Sequence, residues 1–387
     1  MNMQATRSAF DNDAAAVKAA TTGNRQELIA HAVRASGKSA FEIGRDMMRH
    51  ARSGRGIEPD DYVRYRLWDD EAHPGGGADR FVGARTVWPK VFAVGDKCWW
   101  AAAEDKWAMQ TLLAADGLHL PESVAVIDRI TARSYPGLAR VETVEELRGL
   151  VLEHPPGSLF LKVLDGMVGG GVVVIEDADA EGVRPAGGAR TSWQAFLESA
   201  LGERIYLVQR RAENHAALAP FCTGLTTIRL PTFVESRDVF VPCAAMKLAT
   251  GGNLACAFWR EGNIACEIDL DTGTIVRVAG RKGPEVVELP DHPEVAGLKG
   301  LTLPFWDEVR ALNEAAARVF AAIPYQSTDI ALTPEGPLLV ELNFGGSFDI
   351  LQNATGRGLL TPEVRSFFER RGAGFARPQR KKRLGIF

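Results

Sequence analysis

The sequence predicts an α+β fold, with a helical N-terminal region followed by mixed helices and mostly antiparallel strands. Three observations carry this. Residues 1–55 are polar and helical in pattern, with breaks at Gly23 and Gly37. From about residue 225 onward, apolar runs such as "GLTTIRLPTFVE", "VFVPCAAMKLA" and "NIACEIDLDTG" read as strands. Near the end, "STDIALTPEGPLLVELNF" reads as a hairpin turning at "PEG". The regular strand–helix alternation of a doubly wound sheet is missing.

The elements follow in order. A helix starts at about Pro59, and "HPGGGADRFVGA" is a loop. "AAAEDKWAMQTLLAADGL" is read as one helix ended by Gly117. "PESVAVI" is a short strand. "VETVEELRGLVLEH" is an amphipathic helix, which Thr143 and Glu146 open as a capping box. "SLFLKVL" and "GVVVIE" are strands joined by "DGMVGGG". "TSWQAFLESAL" is a helix, and "RIYLVQRR" a strand. "LPFWDEVRALNEAAARVFAAI" is a long helix starting at Pro304, and "TPEVRSFFERR" closes the pattern.

The chain has 387 residues, 46% hydrophobic and 24% charged. That length supports two or three domains with a large core. A net charge of −4 argues against a general nucleic-acid binder. No apolar run reaches the roughly 18 residues of a membrane span. The first twenty residues carry acids and lack a signal-peptide core. Cys98, Cys222, Cys243, Cys256 and Cys266 form no CxxC pair, so structural zinc and a disulfide framework are not expected. Together these features point to the cytoplasm. The final "RPQRKKRLGIF" reads as a solvated basic tail.

The hairpin carries the first chemical signal. Strand alternation puts Leu339, Glu341 and Asn343 on one face and Val340, Leu342 and Phe344 on the other. A carboxylate and an amide amid apolar residues must meet water or bind something. If partners sum to 670, Asp329 faces Glu341 and Asn343 lies diagonal to it. A two-residue turn would break that register. Three hard oxygen donors in one patch suit Mg²⁺ or Mn²⁺. An exposed sheet face is the plainer reading.

Other signals lie in neighbouring strands. Lys162 sits mid-strand in "LFLKVL" and needs an anionic partner. The glycines of "DGMVGGG" let backbone N–H groups approach a phosphate, although a flexible hairpin would use them as well. Arg229 and Lys247 lie within apolar strands that should be adjacent, beside the oxygen cluster. Gln209 ends an apolar strand at what looks like a hinge. Glu213 and His215 beyond it could reach a ribose or lie in a solvated loop. After Asn343 a loop leads through Gly345, Gly346 and Ser347 to Arg357, whose guanidinium suits a substrate carboxylate or a surface acid.

In their order, "DKWAMQTLLAADGLHLPES", "LFLKVLDGMVGGGV", "YLVQRR", "LTTIRLPTF", "IDLDTG", "LPFWDEV" and "VELNFGGSFDILQ" resemble ATP-grasp proteins over roughly residues 60–365. The resemblance is nearest to the sugar-transfer-associated ATP-grasp family and to α-L-glutamate ligase-like enzymes. It implies an ATP-grasp fold, with the nucleotide held between a small central α+β domain and a C-terminal, mostly antiparallel sheet domain. The corresponding divisions are a helical or mixed region at 1–100, the central subdomain at 101–208, the C-terminal subdomain at 209–370 and the tail at 371–387. By position, Lys106 and Lys162 resemble the nucleotide-binding lysines. Gly169, Gly170 and Gly171 resemble the flap over the phosphates. Gln209 and Arg210 resemble the adenine hinge. Arg229 and Lys247 resemble the phosphate-facing catalytic cations, and Asp329, Glu341 and Asn343 the Mg²⁺ ligands. Ser327-Thr328 replaces a Gly-Trp common in the family, a departure that bears on substrate recognition. The activity implied is ATP- and Mg²⁺-dependent joining of a small-molecule carboxylate to an amine through an acyl-phosphate; Arg357 is expected at the acceptor from its place in the loop after the metal-ligand strand. A phosphotransferase, or a non-catalytic nucleotide-binding partner of glycan assembly, are the alternatives.

Overall fold

The structure is a computed structural model that describes residues 24–166, 170–251, 253, 256–258 and 260–375. Expectations for residues 1–23 and for the basic tail beyond 375 lie outside the described residues.

The chain opens with α1 (Arg25–Ser36), α2 (Ala40–Ala51) and α3 (Pro59–Arg64). Gly37 ends α1 with φ 69°, a conformation that glycine adopts without strain. A 3₁₀ segment (Pro74–Arg80) occupies the expected loop. Next comes α4 (Ala84–Val94), which runs through Pro89 and is not legible from local propensity. Burial of Val87 and Val91 in a shared core accompanies this helix.

The helix expected over 101–118 is two helices, α5 (Lys97–Glu104) and α6 (Lys106–Ala115). The break falls at Asp105, whose backbone is extended and whose carboxylate caps α6 by accepting from the Ala108 N–H at 2.8 Å. A short acidic side chain that can bond local backbone favours such a cap over a helix interior.

The first sheet comprises β1 (Ser123–Ile127), β2 (Ala139–Val141), β3 (Leu159–Val163), β4 (Val173–Ala178), β5 (Gly182–Pro185), β6 (Thr191–Ser192) and β7 (Tyr206–Arg210). Their order is β2-β1-β7-β3-β4-β5-β6. Only the β1–β2 pair is parallel. Two helical segments pack on this sheet. One is α7 (Val144–Leu152), with the Thr143–Glu146 capping box in place. The other is α8 (Trp193–Ala195), which runs into a π-helical turn, Phe196–Leu201.

The second sheet comprises β8 (Thr227–Glu235), β9 (Asp238–Phe240), β10 (Ala244–Leu248), β11 (Ile264–Ile268), β12 (Ile275–Lys282), β13 (Glu285–Leu289), β14 (Tyr325–Thr333) and β15 (Gly336–Asn343). Its order is β13-β12-β11-β10-β8-β14-β15, with β9 beside β8. The β12–β13 hairpin extends the sheet beyond the strands read from sequence. Helix α9 (Trp306–Val319) starts two residues after Pro304, because Phe305 is left-handed at φ 57°. The expected loop after Asn343 is largely helical: α10 (Phe348–Thr355) starts from a Ser347 cap, and α11 (Pro362–Arg370) follows.

This second sheet is covered on both faces. On one, Ile228, Met246, Cys266 and Ile330 pack with Val309 and Ala316 of α9 and with Met109 and Leu113 of α6. On the other, Ala245, Ala265 and Ala279 leave room for Phe348 and Leu351 of α10, with Phe367 and Phe368 of α11 behind. The N-terminal region clamps α10. Gln352 accepts from the Val82 N–H at 3.0 Å and donates to the Tyr65 hydroxyl at 3.2 Å. Backbones meet where the Leu360 N–H bonds the Arg80 carbonyl at 3.0 Å.

That close approach depends on Gly358. A Cβ there would lie 2.1 Å from the Arg80 carbonyl carbon and 2.2 Å from the Phe81 nitrogen, both backbone atoms. Gly358→Ala should therefore destabilise the protein by more than about 2 kcal/mol, as overpacking against unyielding backbone does. Urea unfolding would report a lower midpoint with an unchanged slope. A shift within about 0.5 kcal/mol would mean that the clamp is not tight.

Candidate functional site

The site forms where the two sheets meet across α6. This helix belongs to both: the Lys106 N–H bonds the Leu164 carbonyl at 3.1 Å, just past β3. One turn on, the Leu342 N–H of β15 lies 3.1 Å from the Met109 sulfur. Gln110 ties the helix to the first sheet through Ser123, whose hydroxyl is 2.6 Å from Gln110 Oε1 and 3.1 Å from Gln209 Nε2.

The register of β14 and β15 sets the carboxylates. Asp329 faces Glu341, Thr328 faces Leu342 and Ser327 faces Asn343, so partners sum to 670 there. Nearer the turn, Ile330 faces Leu339 and Thr333 faces Gly336, one residue out of step. The hairpin does have a two-residue turn, and a β-bulge at Val340 restores the register before the site. The bulge also corrects the face assignment. Leu339 does not share a face with Glu341; it packs with Leu342 in the apolar core under α9. The bulged Val340 carbonyl lies 3.4 Å from Lys162 Nζ on the opposite sheet.

Two groups of charges result. Asp329 stands between two cations: Arg229 meets it in a two-pronged contact at 2.9 and 2.6 Å, and Lys247 Nζ is 2.9 Å away. All three are largely buried. Burial alone would raise the Asp329 pKa, but Arg229 and then Lys247 hold it far below the carboxylate range. Burial would lower the Arg229 pKa, and the Asp329 charge raises it instead. In the second group, Lys106 Nζ bonds the Gly166 carbonyl and lies 3.4 Å from Glu341 Oε1. Burial pulls the Lys162 pKa down to about 8, with Glu341 opposing and Lys106 adding to the shift. Lysines 106 and 162 are both about nine-tenths buried.

The structure thus brings together Lys106, Lys162, Arg229, Lys247, Asp329 and Glu341 from separate strands and one helix. Asn343 neighbours them, its amide nitrogen 3.5 Å from the Ser327 carbonyl. The oxygen chemistry fits a hard cation. Glu341 Oε2 and the Asn343 amide oxygen are available as donors to a cation, and Asp329 Oδ1, which accepts from Arg229 Nε alone, has a second acceptor direction, whereas Oδ2 already takes both Arg229 Nη2 and Lys247 Nζ. No cluster of three His, Cys, Asp or Glu occurs among the described residues.

Other expected residues lie apart. Gln209 is buried in the Ser123–Gln110 chain. Arg210 turns outward to Glu122 at 2.7 Å, both half-exposed, because it ends the strand. Glu213 is exposed. His215 is structural: its backbone N–H bonds the Leu332 carbonyl, and its ring accepts from the Ala217 N–H. Gly169 lies outside the described residues; Gly170 and Gly171 lead into β4. Arg357 is not at the carboxylates. Helix α10 carries the chain away, and Arg357 pairs with Glu267 on β11, three strands from Asp329 in the sheet order. Sequence reasoning missed Gln110 and Ser123. Gln110 is i+4 from Lys106, and that spacing was the available signal.

Removing the Asp329 charge isolates two buried cations. Asp329→Asn should cost about 3–5 kcal/mol at neutral pH, the range for breaking a buried pair on one side. Because the folded pKa is depressed, the wild-type advantage is full above the unfolded value near 4 and shrinks as pH falls below it. Chemical denaturation at pH 7 and pH 3 checks both statements; equal stability of the two proteins at pH 7 would refute them.

The profile of the family described as sugar-transfer associated ATP-grasp matches residues 93–367. None of the curated proteins compared with the chain matches it. Among solved structures, the ADP complex of purK, N5-carboxyaminoimidazole ribonucleotide synthetase, is 10% identical with a TM-score of 0.37, over 64% of this chain and 46% of that one. The ATP-grasp ligase PsnB, complexed with precursor peptide PsnA2 and AMPPNP, is 15% identical with a TM-score of 0.34, over 70% and 59%. The VanG D-Ala:D-Ser ligase from Enterococcus faecalis is 12% identical with a TM-score of 0.39, over 73% and 65%. Each match thus spans less than two thirds of the neighbour's own length. No helix among the described residues is long and apolar enough to cross a membrane. With the family profile running from α4 to α11 through both sheets and every residue of the charged cluster, the chain belongs to the sugar-transfer associated ATP-grasp family.

Proposed function

We propose that this protein is an ATP- and Mg²⁺-dependent carboxylate–amine ligase. The observation that carries the reading is the convergence of four cationic side chains with Asp329 and Glu341 where the two sheets meet. Buried cations in that number need more negative charge than two carboxylates supply, and a nucleotide's phosphates supply it. Lys106 and Lys162 hold the phosphates from the first-sheet side. Arg229 and Lys247 face the transferred phosphoryl group from the second. Asp329, Glu341 and Asn343 hold Mg²⁺, which when bound neutralises phosphate charge.

A substrate carboxylate oxygen attacks the γ-phosphorus, and the bond to the β-phosphate oxygen breaks, releasing ADP. The amine nitrogen then attacks the acyl carbon; its carbon–oxygen bond to phosphate breaks, phosphate leaves and the nitrogen loses a proton. Buried Arg229 and Lys247 stabilise charge in the first step without reorganising. A phosphotransferase on the same site is the second reading. ADP release screened over pooled carboxylates and amines separates the two: a ligase releases phosphate only when an amine is supplied.

Lys162 gives the nucleotide test. Its charge should be retained by bound phosphate, so ATP binding above about pH 8 takes up a proton. Affinity should fall by about tenfold per pH unit there. Lys162→Met should bind ATP more weakly at pH 7 and lose this pH dependence. Without nucleotide it should be as stable as wild type or more so at pH 7, an advantage that fades as pH rises through about 8 to 10.5 and the wild-type lysine sheds its proton. Calorimetry showing wild-type ATP affinity in the variant would count against the assignment.

Glu341 gives the metal test. Glu341→Gln keeps the shape but removes the charge that a divalent cation requires. It should fold normally and lose Mg²⁺-dependent turnover by at least about a hundredfold, or roughly 2.7 kcal/mol. Full turnover at saturating Mg²⁺ would sink the metal assignment.

A further inference from the structure

A polar cleft lies well away from the charged cluster. It is a cleft of about 370 Å³ between the N-terminal helices, the β12–β13 hairpin and the end of α10. Strand β12 is four strands from β14 in the sheet, roughly 19 Å at the usual strand spacing. One wall, around Tyr65 and Arg66, precedes the region that the family profile matches.

The lining is rich in arginine. Arg64, Arg66, Arg277 and Arg357 line the cleft, with Glu288 the acid among the lining residues, 3.4 Å from Arg277 Nε. Asp60, Asp69 and Glu267, which pair with Arg64, Arg66 and Arg357, are outside the lining, as is Glu285, 3.7 Å from Arg66 Nε. Arg66 Nε is itself buried and makes no hydrogen bond. The arginines are held in place before any ligand arrives. Arg277 donates to the Asn353 and Ala354 carbonyls at 2.9 and 2.6 Å, closing the end of α10. A side chain at Gly356 (φ 65°) would crowd the Arg277 guanidinium at 3.1 Å. Arg66 has φ 52°, a strained conformation for a long side chain. Arg357 leaves 67% of its side chain exposed. Asn353 also lines the cleft, is 6% exposed, and its Oδ1 is buried without a donor. A buried acceptor without a partner costs free energy that a ligand's O–H or N–H would recover.

We propose that this cleft binds a small hydroxylated anion, a carboxylate or a phosphate, held by the N–H groups of Arg66, Arg277 and Arg357 that their acidic partners and the α10 carbonyls leave unused, with a ligand hydroxyl donating to Asn353 Oδ1. A guanidinium carries five N–H donors, so a paired arginine still offers some to an anion, and the volume suits a ligand of monosaccharide size. The site is separate from the nucleotide site and does not depend on the ligase reading.

The test is calorimetry on the full chain with D-glucose 6-phosphate, D-gluconate and inorganic phosphate, run with and without a saturating non-hydrolysable ATP analogue and Mg²⁺. At least one hydroxylated anion should bind in both conditions, more tightly than phosphate alone. Arg66→Gln and Arg357→Gln should each weaken it by about tenfold or more. Both variants should bind the ATP analogue within about twofold of wild type, which shows that they fold. The stronger of the two sugar anions identifies the anionic group. No binding by any probe, binding abolished by the ATP analogue, or binding unchanged in both variants would overturn the proposal.

Discussion

The structure depends on the burial of unlike charges against one another where two sheets meet. A single carboxylate, Asp329, is held between Arg229 and Lys247 inside the protein. Such an arrangement is expensive in desolvation and gives little net stability over an apolar core. It persists where the charges have a further task. The strands around it are apolar on their other face, so the same residues that seal the core under α9 hold the cluster in register.

Much of this was legible in the sequence, for identifiable reasons. Lysine, arginine, aspartate and glutamate inside apolar strands are conspicuous, because buried charge is rare without a partner. The pairing of Asp329 with Glu341 came from a register that the two-residue turn breaks, and it holds only because the bulge at Val340, which no local signal announces, makes up the missing residue. What was hidden depended on tertiary contact. Helix α4 carries a proline and is held by packing of Val87 and Val91. Helix α10 follows two glycines, so its local signal reads as loop. The break at Asp105 is one side chain preferring a cap. The position of Arg357 could not be read because it depends on where α10 ends.

The N-terminal region is more than an appendage. Its Tyr65 and Val82 hold Gln352, and α10 in turn lies over the alanines of the second sheet. Substitutions around Tyr65 and Val82 therefore act on the part of the sheet next to the charged cluster without touching it. Helix α6 does the same from the other side, since its successive turns touch Leu164, Ser123 and β15.

The bulge at Val340 has a consequence for how this hairpin tolerates change. Because one surplus residue is taken up between the tip and the carboxylates, pairing at the tip and pairing at the site are mechanically uncoupled. The tip can lose or gain slack in the course of evolution while Glu341 stays opposite Asp329. Deleting Val340 would leave Glu341 opposite Asp329 in a regular ladder, but it would remove the bulge and the carbonyl that lies 3.4 Å from Lys162 Nζ. The segment to vary in engineering this chain is therefore Pro334–Glu335, and the one to leave alone is a plain valine.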